Sequence, residues 1–341
     1  MRIALFSDIH ANDVALSAVL DFLNKNHPVD KIWCMGDIIG YGPEPVKTVE
    51  IAMRLFDFWI AGNHEEYWFT LLKREENKTL DRNKSIVNLT EELRNQGGPR
   101  KEAIHTLLLH LDALRKTPAG DWLQAGLSHR DHHHDGPQVV EVEGFSLIPV
   151  HATFSNPTGG YSEPWKSSNS LAPSLFRVNE KLLQYEENGV VMNIVNGLAD
   201  RLRTVQSTIK SEKPYLVIFG HTHVPGIYHY KNGHAQGALP PGYGIPVPVG
   251  AYPMAINPGS LGHPSDTDPR AAFAILDTEK CQVTFYRVPY NLKLIEDKLY
   301  MSNYPDAMWD EIKNAHLRTS DTQILGDFDK DIKRLAASPG H

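Results

Sequence analysis

Five short groups of residues carry side chains that can hold a metal ion, and each group follows an apolar run. Asp8 and His10 follow the first, and Asp37 follows the second after Gly36. Asn63 and His64 follow the third after Gly62; His151 follows the fourth; His221 and His223 follow the fifth after Gly220. Four histidines (His10, His151, His221 and His223), two aspartates and an asparagine carbonyl make a mixed nitrogen and oxygen donor set. Such a set suits first-row divalent ions, Mn first with Fe, Zn or Ni as alternatives, and is too nitrogen-rich for Mg or Ca. Seven donors exceed what one tetrahedral zinc takes and fit two ions sharing a bridge. Two ions roughly 3.5–4 Å apart form a clamp for in-line displacement at phosphorus. Taken singly, an Asp-x-His or a Gly-Asn-His is as often a turn or a helix cap as a ligand. A His-x-His puts both rings on one side of an extended segment. Five such groups in one chain, each after an apolar run, are beyond coincidence.

The elements that must position these groups are legible. Strand-length apolar runs occupy 2–6, 31–35, 57–61, 145–150 and 215–219. Between the first two, "NDVALSAVLDFLNKN" has apolar residues at 14, 16, 19, 20, 22 and 23, a helical stripe. "PEPVKTVEIAMRLF" predicts a second helix, so the chain begins as successive βαβ units and a mostly parallel sheet. Parallel strands end on one edge, where ligands bind, so residues far apart in sequence would meet there. Glycines at the strand exits permit tight turns. Farther on, "AAFAILD" and "QVTFYRV", joined by "TEK", predict an antiparallel hairpin, which makes a mixed α/β sandwich the better expectation. The Pro/Gly-rich stretch 233–258 is expected to be mostly loop or edge strand. Residues 66–140 and 160–212 read as largely helical additions inside one domain over 1–317, and 318–341 as a polar tail.

Composition bounds the partners. The 341 residues are 41% hydrophobic and 22% charged, with 34 Lys plus Arg against 41 Asp plus Glu, a formal charge of −7. That balance argues against a basic face for nucleic acid. No run reaches transmembrane length, and two cysteines, Cys34 and Cys281, cannot build a disulfide framework. The expectation is a cytoplasmic protein with two buried thiols, acting without a membrane on a small phosphorylated substrate; the oligomeric state is not legible.

"DIH", "GD", "GNHE", a strand-terminal His and "GHTH" resemble the five signature blocks of the calcineurin-like metallophosphoesterases. "GDIIGYGPEP", "INPGSLGHP" and "DPRAAFAILD" are similar to its bacterial phosphodiesterase-like branch. The resemblance implies a four-layer α/β/β/α sandwich and a di-metal phosphoesterase acting on phosphate mono- or diesters. It implies that Asp8, His10 and His223 hold one ion and Asn63, His151 and His221 the other, with Asp37 bridging. A water or hydroxide shared by the ions would be the nucleophile, and His64 would protonate the leaving oxygen. Two aspartates against two divalent ions leave the centre net positive, which reconciles an acidic chain with an anionic substrate. "IIGYG" after Asp37 departs from the Asp-Arg-Gly of the Ser/Thr protein phosphatases, and Gly40 stands where purple acid phosphatases place a tyrosinate ligand. Where relatives carry an arginine after the "GSxGx" block, this chain has Pro264 and Ser265; Arg270 is the nearest substitute.

A nuclease of the same superfamily, or a non-catalytic scaffold of this fold, are the alternatives; full occupancy of the ligand positions opposes the second. Asn12 would line the substrate side or cap the following helix, and Ser260 would approach the phosphate or simply form a turn. "RDHHHDG", residues 130–136, cannot aim all its side chains at one ion and reads as a solvated loop or a lid.

Overall fold

The computed structural model describes residues 1–81, 88–89, 101–128, 139–152, 215–231, 234–250, 254–302 and 304–315. The 160–212 stretch, the tail beyond 315 and all of "RDHHHDG" lie outside these residues.

The predicted βαβ start is present as β1 (Arg2–Phe6), α1 (Asp13–Asn26), β2 (Lys31–Cys34), α2 (Pro45–Leu55), β3 (Phe58–Trp59) and α3 (Asn63–Glu76). Next come α4 (Lys101–Leu114), α5 (Pro118–Ser128), β4 (Val140–Val142), β5 (Phe145–Pro149) and β6 (Tyr215–Ile218). Then follow β7 (Gly226–Lys231), β8 (His234–Ala238), β9 (Pro246–Pro248), β10 (Met254–Asn257), β11 (Ala271–Asp277) and β12 (Gln282–Val288). Helices α6 (Leu292–Met301) and α7 (Asp306–Asn314) complete the described residues.

The strands form two six-stranded sheets, ordered β3-β2-β1-β11-β12-β9 and β4-β5-β6-β10-β7-β8. Both are mixed: β1–β2–β3 and β5–β6–β10 run parallel, while β11 lies antiparallel to β1 and β12, and β7 antiparallel to β10. The two-residue alternation of a strand assigns the faces. On β1, Ile3 and Leu5 enter the layer between the sheets, beside Phe145, Leu216 and Ile256. Ala4 and Phe6 face the other way, into a core shared with Leu16, Val19, Val49 and Trp68. The chain is thus an α/β protein of two packed mixed sheets flanked by helices.

Two expectations need correction, one on 233–258 and one on the cysteines, and the helices of 66–140 prove well packed. The Pro/Gly-rich stretch 233–258 contains β10, an interior strand between β6 and β7, as well as the edge strands β8 and β9. Its four residues, Met-Ala-Ile-Asn, are fully buried and free of proline; the prolines and glycines that masked it flank it. Within 66–140, α3 runs unbroken through residue 76, and Ile104, Leu107, Leu111 and Leu123 join the main core. These helices pack on the main core. Cys34 is buried, but Cys281, in the turn between β11 and β12, is exposed; both are free. Among the described residues no helix is long and apolar enough to cross a membrane.

Candidate metal centre

The carboxyl ends of β1, β2, β3, β5 and β6 deliver their residues to one place. Backbone bonds tie the exits together: Asp8 N–H donates to Gly36 O (3.0 Å), His10 N–H to Asp37 O (2.9 Å) and Gly220 N–H to His151 O (2.8 Å). Donor atoms of Asp8, His10, Asp37 and His223 lie within 4.8 Å of one another, and so do those of Asp37, His151 and His221. Asp37 belongs to both clusters. Asn63 joins the second, its Oδ1 3.0 Å from His151 Nε2.

Five of these residues, Asp8, His10, Asp37, His221 and His223, have positive φ between 50° and 67°. Left-handed backbone costs a non-glycine residue roughly 1–2 kcal/mol, and such strain concentrates at functional sites. The conformation also corrects the extended reading of His-x-His. His221 and His223 do not sit side by side on a strand; the turn sends one to each cluster.

The donor chemistry fits cations. His10 Nδ1 bonds Ile39 O (3.1 Å), His223 Nδ1 bonds His263 O (2.6 Å) and His151 Nδ1 bonds Met35 O (2.7 Å). A carbonyl only accepts, so each ring carries a proton on Nδ1 and turns its Nε2 inward, with a lone pair where the ring is neutral. The consequence is acceptor against acceptor at His10 Nε2 and His223 Nε2, 3.0 Å apart, while His151 Nε2 faces Asp37 Oδ2 at 3.3 Å. Positive ions among these atoms would turn such repulsion into coordination, and the outer carbonyls fix ring orientation as such partners do at metal sites.

The charges agree. Burial raises the Asp8 carboxyl to about 7, although His221 N–H donates to both its oxygens. Burial opposes ionisation of Asp37 too, yet His151, His64 and His10 hold its carboxyl well below the usual range. Burial, then the neighbouring His64, holds the His10 ring well below the usual histidine range. Burial opposes charge on the His151 ring, but facing Asp37 outweighs it and the ring rises to about 9, so an ion bound there would displace the Nε2 proton.

His64 opens α3 beside Asn63. Its N–H donates to Asp37 Oδ1 (2.9 Å), and its Nε2 stands 4.0 Å from Asp37 Oδ2. Asn12 and Ser260 face the protein interior. Asn12 caps α1 by accepting from Ala15 N–H (3.0 Å), and its amide donates to Gly262 O (2.9 Å). Ser260 Oγ donates to Asp8 O (2.7 Å) and accepts from His263 N–H (2.8 Å), which fixes the backbone behind a ligand. Arg270 is exposed and engaged by the Asp268 carboxylate.

Three buried residues went unassigned in the sequence. Glu65, the last letter of "GNHE", accepts from the N–H groups of Gly62 (2.7 Å), Asp37 (2.9 Å) and Ile39 (3.0 Å), binding two strand exits together. Its place three residues after the helix-capping Gly62 was the available signal. His263 stacks on Tyr41 at 4.5 Å between ring centres, and Tyr41 lies 4.6 Å from His64. Nothing in residue type or spacing marked either as part of the site wall.

The chain is 24% identical over 312 residues to an uncharacterized protein of Methanocaldococcus jannaschii, a match covering 91% of this chain and 96% of that one. A metallophosphoesterase from Sphaerobacter thermophilus superposes with a TM-score of 0.61 at 24% identity, covering 92% of this chain and 99% of the other. A hypothetical protein from Pyrococcus horikoshii OT3 gives 0.53 at 16% identity, over 93% and 99% of the two chains. At these identities the likeness of the two solved structures is one of fold. The family model for calcineurin-like phosphoesterases matches residues 1–225, the span that holds every residue of both clusters, and the chain belongs to that family.

Proposed function

We propose that this protein hydrolyses a phosphate ester of a small substrate with two divalent ions, one held by Asp8, His10 and His223, the other by Asn63, His151 and His221, with Asp37 shared. The observation that carries the reading is the membership of Asp37 in both donor clusters. Divalent ions there would supply Lewis-acid activation of water and of the phosphoryl group. Mn fits the nitrogen and oxygen donors, as do Fe, Zn and Ni.

The chain's own part is positioning and proton transfer. The carbonyls of Ile39, His263 and Met35 hold three imidazoles with their Nε2 atoms inward. His64 Nε2, on the cluster side of its ring, is placed to give a proton to the leaving oxygen. General acid catalysis contributes about 10²–10⁴-fold and matters most for a poor leaving group. His64→Ala is therefore expected to lose that order of rate on an alkyl phosphate ester and far less on a nitrophenyl ester, with two ions retained. Loss of metal would make His64 a ligand, and equal losses on both esters would remove the acid role. The wider test is metal analysis followed by a screen of phosphomonoesters, cyclic and linear diesters and dinucleotides. Absence of turnover on all of them with two ions bound would sink the hydrolase reading.

A further inference from the structure

The loop after Asp37 carries an unusual backbone. Gly40 has φ 94° and Tyr41 φ 56°, so neither residue can join a strand ladder. Buried N–H and C=O groups outside ladders need other partners. Three of those of residues 40–42 find them on one helix. Gly40 N–H donates to His110 Nδ1 (3.1 Å), and Tyr41 N–H donates to Thr106 Oγ1 (3.1 Å). His110 Nε2–H faces Gly42 O (2.9 Å) and the Tyr304 hydroxyl (2.9 Å). Thr106 and His110 are four residues apart on α4, hence on one face, and both are fully buried.

This loop abuts His64. A Cβ added at Gly40 would collide with His64 Nδ1, so the backbone at residue 40 is the floor on which the ring rests. The floor's height is set by the imidazole beneath it.

We propose that His110 is a positioning residue for His64, acting through Gly40: its two ring nitrogens clamp the loop that fixes the ring of the acid. Only the neutral ring with Nδ1 bare can do this, because it must accept from Gly40 and donate to Gly42. Burial keeps the ring neutral, pushing it down to about 3. The proposal rests on the acid role assigned to His64 above.

His110→Phe keeps the ring's bulk and removes both bonds; His110→Asn keeps an oxygen near the Nδ1 position for Gly40. The measurements are turnover on an alkyl and a nitrophenyl ester, the ¹⁵N-detected ring signals of His64 in metal-free protein, and thermal midpoints. His110→Phe is expected to shift the His64 signals and to lose on the order of 10²-fold on the alkyl ester, with far less loss on the nitrophenyl ester. His110→Asn should recover most of the rate. The double variant with His64→Ala should be no slower than His64→Ala alone. Unmoved His64 signals in a folded His110→Phe protein, equal losses on both esters, or additive losses in the double variant overturn the proposal. If His64→Ala itself shows no dependence on leaving group, the acid role fails; the ring signals then still decide whether His110 places His64.

Discussion

The Asp37 carboxylate has its oxygens on different duties. Oδ1 is fixed by the His64 N–H at 2.9 Å, leaving Oδ2 toward His151 at 3.3 Å and His10 at 3.8 Å. Asp37→Asn removes the shared charge without much change of shape, so metal content and turnover should fall together, by mass spectrometry and by assay. Asp8→Asn, confined to the first cluster, should spare the ion held by His151 and His221. Two ions and unchanged turnover in Asp37→Asn would refute the bridge. Residue types at strand exits made Asp8, Asp37 and the histidines readable, since few chains place metal donors after five apolar runs by accident. Asn12 and Ser260 were readable as polar residues near the site but not in direction. Which way a short polar side chain bonds is settled by backbone groups that meet it only in the fold, here Gly262 and Asp8.

At the scale of elements, two parallel runs of strands place their exits edge to edge, and Glu65 laces two of those exits together. Its three accepted N–H bonds include one from Asp37 itself. In Glu65→Gln an amide NH₂ faces one or more of these donors, leaving buried groups unsatisfied. The expected cost is about 1–3 kcal/mol of stability, with metal affinity falling roughly 10–100-fold. Denaturant titration and metal titration measure the two effects; a variant as stable and as metal-tight as the parent would show that Glu65 is a spectator. Gly62 offers a second test, because a Cβ there would collide with both the Asp37 carboxylate and the Asp37 backbone nitrogen; Gly62→Ala should dislodge the carboxylate, release metal and lower stability as well. The early βαβ pattern and the β11–β12 hairpin were legible because their periodicity is strong. β10 was hidden, since three apolar residues and an asparagine between proline-rich flanks carry too little pattern to outweigh their surroundings.

For the molecule as a whole, the span that matches the family does not contain its own sheets. β10 pairs with β6 and β11 pairs with β1, so each sheet is completed at its middle by chain beyond residue 225. A fragment of residues 1–225 should fail to fold cooperatively, as followed by circular dichroism and hydrogen exchange, although it contains every ligand. Metal should also be part of the stability of the intact chain: at free ion 100-fold above Kd, each ion adds about 2.7 kcal/mol. Chelation should lower the denaturation midpoint and Mn should restore it; an unchanged midpoint would mean that the clusters are indifferent to cations. The left-handed backbone of Asp8, His10, Asp37, His221 and His223 bears on what selection would keep. A library randomised at those positions and sorted for heat resistance alone, with chelator present, should drift toward Gly, Asn and Asp, the residues at ease in that conformation. Sorted for turnover, it should return to the present sequence, so the two selections would part at His10, His221 and His223 and record how much stability the fold gives up to keep those rings in place.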